Sequence, residues 1–164
     1  MGPSAFHSFA PVGRITGGRL DSKNPPTREE AEPSVSEMQV DLVAVERQIW
    51  SGPAQMVVAR TVDGDIGVMP GHAPLLAQLR EGFAARIIAP DGTVSSVAVH
   101  GGFLSVTKDG VAILAEDAQL SDEIDVTAAR GVYERAKATG TGSAEAEAEL
   151  RRAQAQLLAS GETV

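Results

Sequence analysis

The chain has no cysteine and, in 164 residues, only one tryptophan, one tyrosine and four phenylalanines. Lack of cysteine excludes disulfides and thiolate zinc sites. With aromatics at 4%, a core must be built from Val, Ile, Leu and Ala, which a hydrophobic content of 43% can supply. No apolar run approaches the roughly 18 residues a membrane-spanning helix requires, so membrane association would have to run through a partner. Basic residues are the minority: 14 Lys and Arg against 22 Asp and Glu leave a net charge of −8. That balance argues against a nucleic-acid binder and against attraction to an anionic lipid surface.

Signatures of chemistry are missing as well. Ser51, Ser105 and Ser121 lack a G-x-S-x-G context, no phosphate-cradling G-x-x-x-x-G-K-S/T occurs, and the carboxylates have neither paired histidines nor calcium-loop spacing. The three histidines are His7, His72 and His100, and His7 sits in a tail of low complexity. A three-histidine metal site therefore cannot be assembled from folded residues. The residues lead us to expect no catalytic group, no metal and no cofactor. Two other readings stay open: a metal-dependent enzyme on a β-sandwich with His72 and His100 as ligands, and a generic binding module with a helical tail.

Residues 1–37 are rich in Pro, Gly, Ser and charge and show neither period 2 nor period 3.6, as expected of a disordered extension. The stretch makes a poor transit helix, because Pro3, Pro11 and Gly17-Gly18 interrupt any amphipathic face. A native start near Val35 or Met38 is the alternative. From residue 38 the pattern turns to short β-type runs. Val40, Leu42 and Ala44 alternate with Gln39, Asp41 and Val43, and further runs cover 55–62, 74–79, 83–89, 93–99, 103–107 and 111–115. Asp63-Gly64, Asp91-Gly92 and Asp109-Gly110 punctuate them. Asp-Gly suits the two positive-φ positions of a type I′ turn, so three hairpins in an antiparallel meander are expected. The spacing predicts a sandwich or barrel over 38–120.

Residues 64–76, GDIGVMPGHAPLL, read as a rigid exposed loop between strands, with Pro70 and Pro74 fixing φ and Gly71 permitting a turn. After Ala115 comes an acidic connector. Helical spacing follows at Val126, Ala129, Val132, Tyr133 and Ala136, ending at Gly140. Ser143 then caps a second helix with a narrow stripe of Ala146, Leu150, Ala153 and Leu157. The fold class is mainly β with an α tail: an antiparallel β-sandwich over 38–120 and a helical αα-hairpin over 121–164. The hairpin seam is mostly alanine and should be weakly held.

The segment GDIGVMPGHAPLL resembles G-E-I/L-G-I/V-x-P-G-H-A-P-L-L of the epsilon subunit of F-type ATP synthases. Other landmarks follow that family's order: Trp50-Ser51-Gly52 with Ala54, Gly101-Gly102-Phe103-Leu104, and the strand at 111–115. The resemblance covers residues 38–164. It implies a flattened sandwich in the rotor that clasps the gamma subunit and rests on the c-ring, coupling proton-driven ring rotation to ATP synthesis. It also implies a helical hairpin that regulates ATP hydrolysis by reaching the catalytic alpha/beta head. Asp65, Gly71 and His72 match the c-ring contact loop, and Trp50 is a candidate for the gamma interface. Arg130, Arg151 and Arg152 are candidate regulatory cations of the helices. Many bacterial members carry an ATP-sensing I/L-D-x-x-R-A; here 124–129 read IDVTAA, with Ala128 in place of the arginine. Arg130, two positions on, is rotated by about 200° to another face. No bound ATP is expected. The implied location is peripheral, on the cytoplasmic face of a bacterial plasma membrane.

Overall fold

The computed structural model describes residues 36–140 and 142–164. The extension expected over 1–37 lies, up to residue 35, outside the described residues. Among the described residues ten strands form two five-stranded sheets. They are β1 (Met38–Ala44), β2 (Gln48–Ala54), β3 (Met56–Thr61), β4 (Gly64–Val68), β5 (Leu75–Gln78), β6 (Phe83–Ile88), β7 (Val94–His100), β8 (Phe103–Val106), β9 (Gly110–Ala115) and β10 (Asp117–Leu120). The first sheet runs β2-β1-β9-β8-β5 and the second β10-β7-β6-β3-β4. Their inner faces supply one aliphatic core. Val40, Leu42, Leu104 and Ile113 from the first sheet and Val57, Ile87 and Val97 from the second are fully buried, and no aromatic among the described residues is. Scarcity of aromatics is thus met by branched aliphatics that pack well across pleated faces.

The alternation in 38–44 is realised: Val40, Leu42 and Ala44 point inward. Three strands were not legible as such. β2 contains Ser51-Gly52-Pro53, a turn-like composition tolerated because the strand lies at a sheet edge. β4 occupies the first part of the stretch read as a loop, again at an edge. β10 falls in the acidic connector and pairs with β7.

The three Asp-Gly signals do mark hairpins, but the expected meander needs correcting. β1 and β9 pair in parallel, and β5 joins the first sheet across the sandwich from β4. The turn chemistry differs too. In the β3–β4 hairpin Thr61 pairs with Gly64, so Val62-Asp63 form the loop. The Thr61 hydroxyl accepts from Asp63 N and donates to Gly64 O. Thr107, Asp109 and Gly110 repeat the same bonds between β8 and β9. A threonine two residues before the Asp therefore organises both turns, and the Gly opens the next strand. At 89–93, Pro90-Asp91 take the turn and Gly92 follows at φ 86°, while Asp91 accepts from Thr93 N at 2.8 Å.

Helix α1 (Val126–Thr139) starts where Asp125 accepts from Ala128 N at 2.9 Å and stops at Gly140. Helix α2 (Ala144–Ala159) is capped by Ser143, as its sequence predicts. Residues Val97, Ala98 and Val99 are all buried, so β7 is covered on both faces. The outer cover is α2, which lies on β6 and β7 and carries α1 on its far side. Ala84 and Ala98 on the sheet meet Ala155, Leu157 and Ala159 of the helix, with Ala129 and Tyr133 from α1. Burial of Ala155 and Ala159 makes the α2 contact wider than the stripe read from sequence, because the helix is enclosed from two sides.

Candidate functional site

Two ends and two faces of the sandwich carry the candidate residues. At one end Met69–His72 form a tight turn: His72 N donates to Met69 O at 3.0 Å, Pro70 occupies the second position and Gly71 the third at φ 83°. That is the type II pattern, which favours Pro then Gly. The half-buried His72 ring is held through Nδ1 against Ala73 O at 2.8 Å. The turn shares a small cavity of about 180 Å³ with Gln39 and the Thr107–Gly110 turn. These two bonds make the turn an ordered one.

Asp65 does not join that turn. It lies in β4 opposite Arg60 of β3, at the hairpin end, whereas Val68 leads to His72 from the other end of the strand. Arg60 grips Asp65 through Nε and Nη2, the latter at 2.6 Å, and its guanidinium sits 4.2 Å from the Phe83 ring centroid. This bidentate bond holds the Asp65 carboxyl below the usual carboxylate range. The structure therefore brings Gly71 and His72 together and separates Asp65 from them.

Trp50 lies on edge strand β2, partly buried against the core and stacked over Gly52, where a Cβ would meet the indole at 3.4 Å. A larger feature escaped sequence reasoning. On the outer face of the first sheet Phe103 and Leu114 are direct cross-strand partners, 48% and 53% exposed, and Leu76 is 72% exposed on neighbouring β5. No helix covers this face among the described residues, in contrast to the second sheet. Alternation alone could have flagged it, since Leu76, Phe103 and Leu114 occupy the positions that face away from Leu104 and Ile113.

The three arginines do not converge. Arg130 pairs with Glu162 beyond the end of α2. Arg151 donates to Glu81 at 2.8 Å and to Glu147 at 3.3 Å. Arg152 is exposed and makes no salt bridge among the described residues. Arg130 lies near the start of α1 and thus beside the end of α2, roughly 15 Å along the hairpin from the other two. Asp125 is occupied as the α1 N-cap, and Ala128 is exposed. His72 and His100 line different cavities at opposite ends of the sandwich, so they cannot share a metal. No helix among the described residues is long and apolar enough to cross a membrane.

Such a molecule is an interaction module: a stiff sandwich with one uncovered apolar face, an ordered turn at one end and a helical hairpin on the other face. The family model described as ATP synthase, Delta/Epsilon chain, beta-sandwich domain matches residues 37–121, and the chain belongs to that family. It is 57% identical over 98 residues to the ATP synthase epsilon chain of Rhodococcus opacus, covering 60% of this chain and 80% of that one. Identity to the epsilon chain of Nocardia farcinica is 52% over 106 residues, covering 65% and 82% of the two chains. A solved chain from the Euglena gracilis mitochondrial ATP synthase, OSCP/F1/c-ring, aligns over 93% of this chain and 96% of its own. Its TM-score is 0.64 at 22% identity, a likeness of fold.

Proposed function

We propose that this chain is the central-stalk epsilon subunit of an F-type ATP synthase, a rotor component that performs no chemistry itself and couples c-ring rotation to ATP synthesis. The observation that carries the reading is the uncovered Leu76–Phe103–Leu114 face, on the opposite side of the sandwich from the hairpin. A rotor subunit needs a torque-bearing attachment, and an apolar face on a rigid sheet supplies one. The gamma subunit takes this face and reaches the β2 edge, where Trp50, the cross-strand partner of Leu42, packs on the core side of the sheet. The c-ring meets the Met69–His72 turn, while Asp65, engaged by Arg60 at the far end of β4, serves the sandwich. The helices regulate ATP hydrolysis by leaving the second sheet for the catalytic alpha/beta head, where Arg130 and Arg151 exchange their present carboxylates for new ones and Arg152, without a salt bridge among the described residues, gains one. Division into a sandwich over 38–120 and a mobile hairpin over 121–164 follows from that role. No ATP binds the hairpin in this proposal, because its arginines are dispersed. The subunit works on the cytoplasmic face of a bacterial plasma membrane, attached through the complex.

The test is capture of the full chain by an isolated gamma subunit, compared with F103D/L114D and with residues 69–72 scrambled. Stoichiometric capture, lost in F103D/L114D and kept by the scrambled turn, is the expected result. Undiminished capture of folded F103D/L114D would overturn the assignment of this face.

A further inference from the structure

Where α2 crosses the end of β7, a cavity of about 340 Å³ collects Glu81, His100, Glu116, Asp117, Arg151 and Arg152. Its charges are segregated. The helix contributes Arg151 and Arg152. The sandwich contributes Glu81 from the β5–β6 turn, Glu116 and Asp117 from the β9–β10 junction, and His100, the last residue of β7 and the cross-strand partner of Asp117. Arg151 is committed to Glu81 and Glu147, whereas Arg152 has no salt bridge among the described residues.

We propose that His100 is an acid-sensitive latch on the docked hairpin: neutral, it lets α2 lie on the sandwich; protonated, it opposes Arg152 and loosens the helix. That loosening matters for hydrolysis only if the hairpin regulates as proposed above. Burial, then Arg152, push the His100 pKa below the ordinary histidine value, outweighing Asp117 and Glu81, which pull it up. Undocking removes both the covering helix and Arg152, so the free sandwich binds the proton more tightly. By linkage, docking is then fully supported above the ordinary histidine pKa of about 6.5 and weakens as pH falls through it.

Hydrogen-exchange protection factors of α2 in the full chain at pH 7.5 and 5.5, referenced to the sandwich strands, test the latch. Wild-type α2 should lose protection by roughly threefold or more at the lower pH. H100Q should hold it at both values, and R152Q should show a smaller loss. A wild type without loss, or an equal loss in H100Q, overturns the proposal; if H100Q does not fold, an equal loss in R152Q does so. The readout is docking in the isolated chain. A latch that works without altering hydrolysis in the assembled synthase would therefore refute the regulatory hairpin and leave the latch standing.

Discussion

Arg151 of α2 donates through Nε to the Glu81 carboxylate at 2.8 Å, a direct charged link between α2 and the sandwich. Both side chains are about half exposed, so solvent screens the pair, and removing it costs at most about 1 kcal/mol. The apolar seam beneath holds more. Leu157 is fully buried between α2 and its neighbours, and Leu157→Ala should cost about 2–5 kcal/mol of docking. Limited proteolysis should therefore cut the hairpin of L157A rapidly while R151Q behaves nearly as wild type. Equal sensitivity of the two would show that charge, not packing, keeps α2 down.

Glycines separate sterically demanded positions from merely tolerant ones. Gly102 has φ 107°, and a Cβ there would overlap the Leu114 carbonyl. Gly102→Ala should destabilise the sandwich by about 3 kcal/mol or more. Gly92, at φ 86° with open space around it, should lose only about 1–2 kcal/mol on the same change. Urea unfolding of both variants decides it.

Acid should act on the sandwich later than on the latch. Asp65 beside Arg60, and Glu123 held by Arg47, both have carboxyls depressed chiefly by the side-chain hydrogen bond from arginine. Lowered folded-state pKa values mean that these contributions are complete above the unfolded carboxylate range and vanish as pH falls below about 4. Sandwich stability followed by urea unfolding should show no contribution from either pair to pH dependence between 7 and 5. In R60Q the Asp65 carboxyl should titrate at higher pH than in wild type, visible in its carboxyl carbon shift by NMR.

The first turn of α1 depends on Asp125, which accepts from Ala128 N. Asp125→Ala should cost about 1 kcal/mol, whereas Asp125→Asn should keep the cap and lose little. The signature is exchange of the Ala128 amide, which should accelerate in D125A without change in the strands.

The sequence by itself determined the features that neighbours along the chain decide. The inward alternation of Val40, Leu42 and Ala44, the caps at Asp125 and Ser143, the stop at Gly140 and the hairpins at the Asp-Gly pairs all rest on chemistry within about four residues. Even there, the role of Thr61 and Thr107 moved each turn back by one position. Tertiary structure alone decided who pairs with whom. β2, β4 and β10 lack strong strand character and exist because β1, β3 and β7 offer unsatisfied backbone groups at the sheet edges. The parallel pairing of β1 with β9 joins segments some seventy residues apart, beyond any local pattern. Likewise, an alanine seam predicts a weak helix contact but cannot say which surface it meets; Ala84 and Ala98, small enough to admit α2, settle that. Distance along the chain put Asp65 near His72, whereas the pairing of β4 with β3 carried them to opposite ends of a strand.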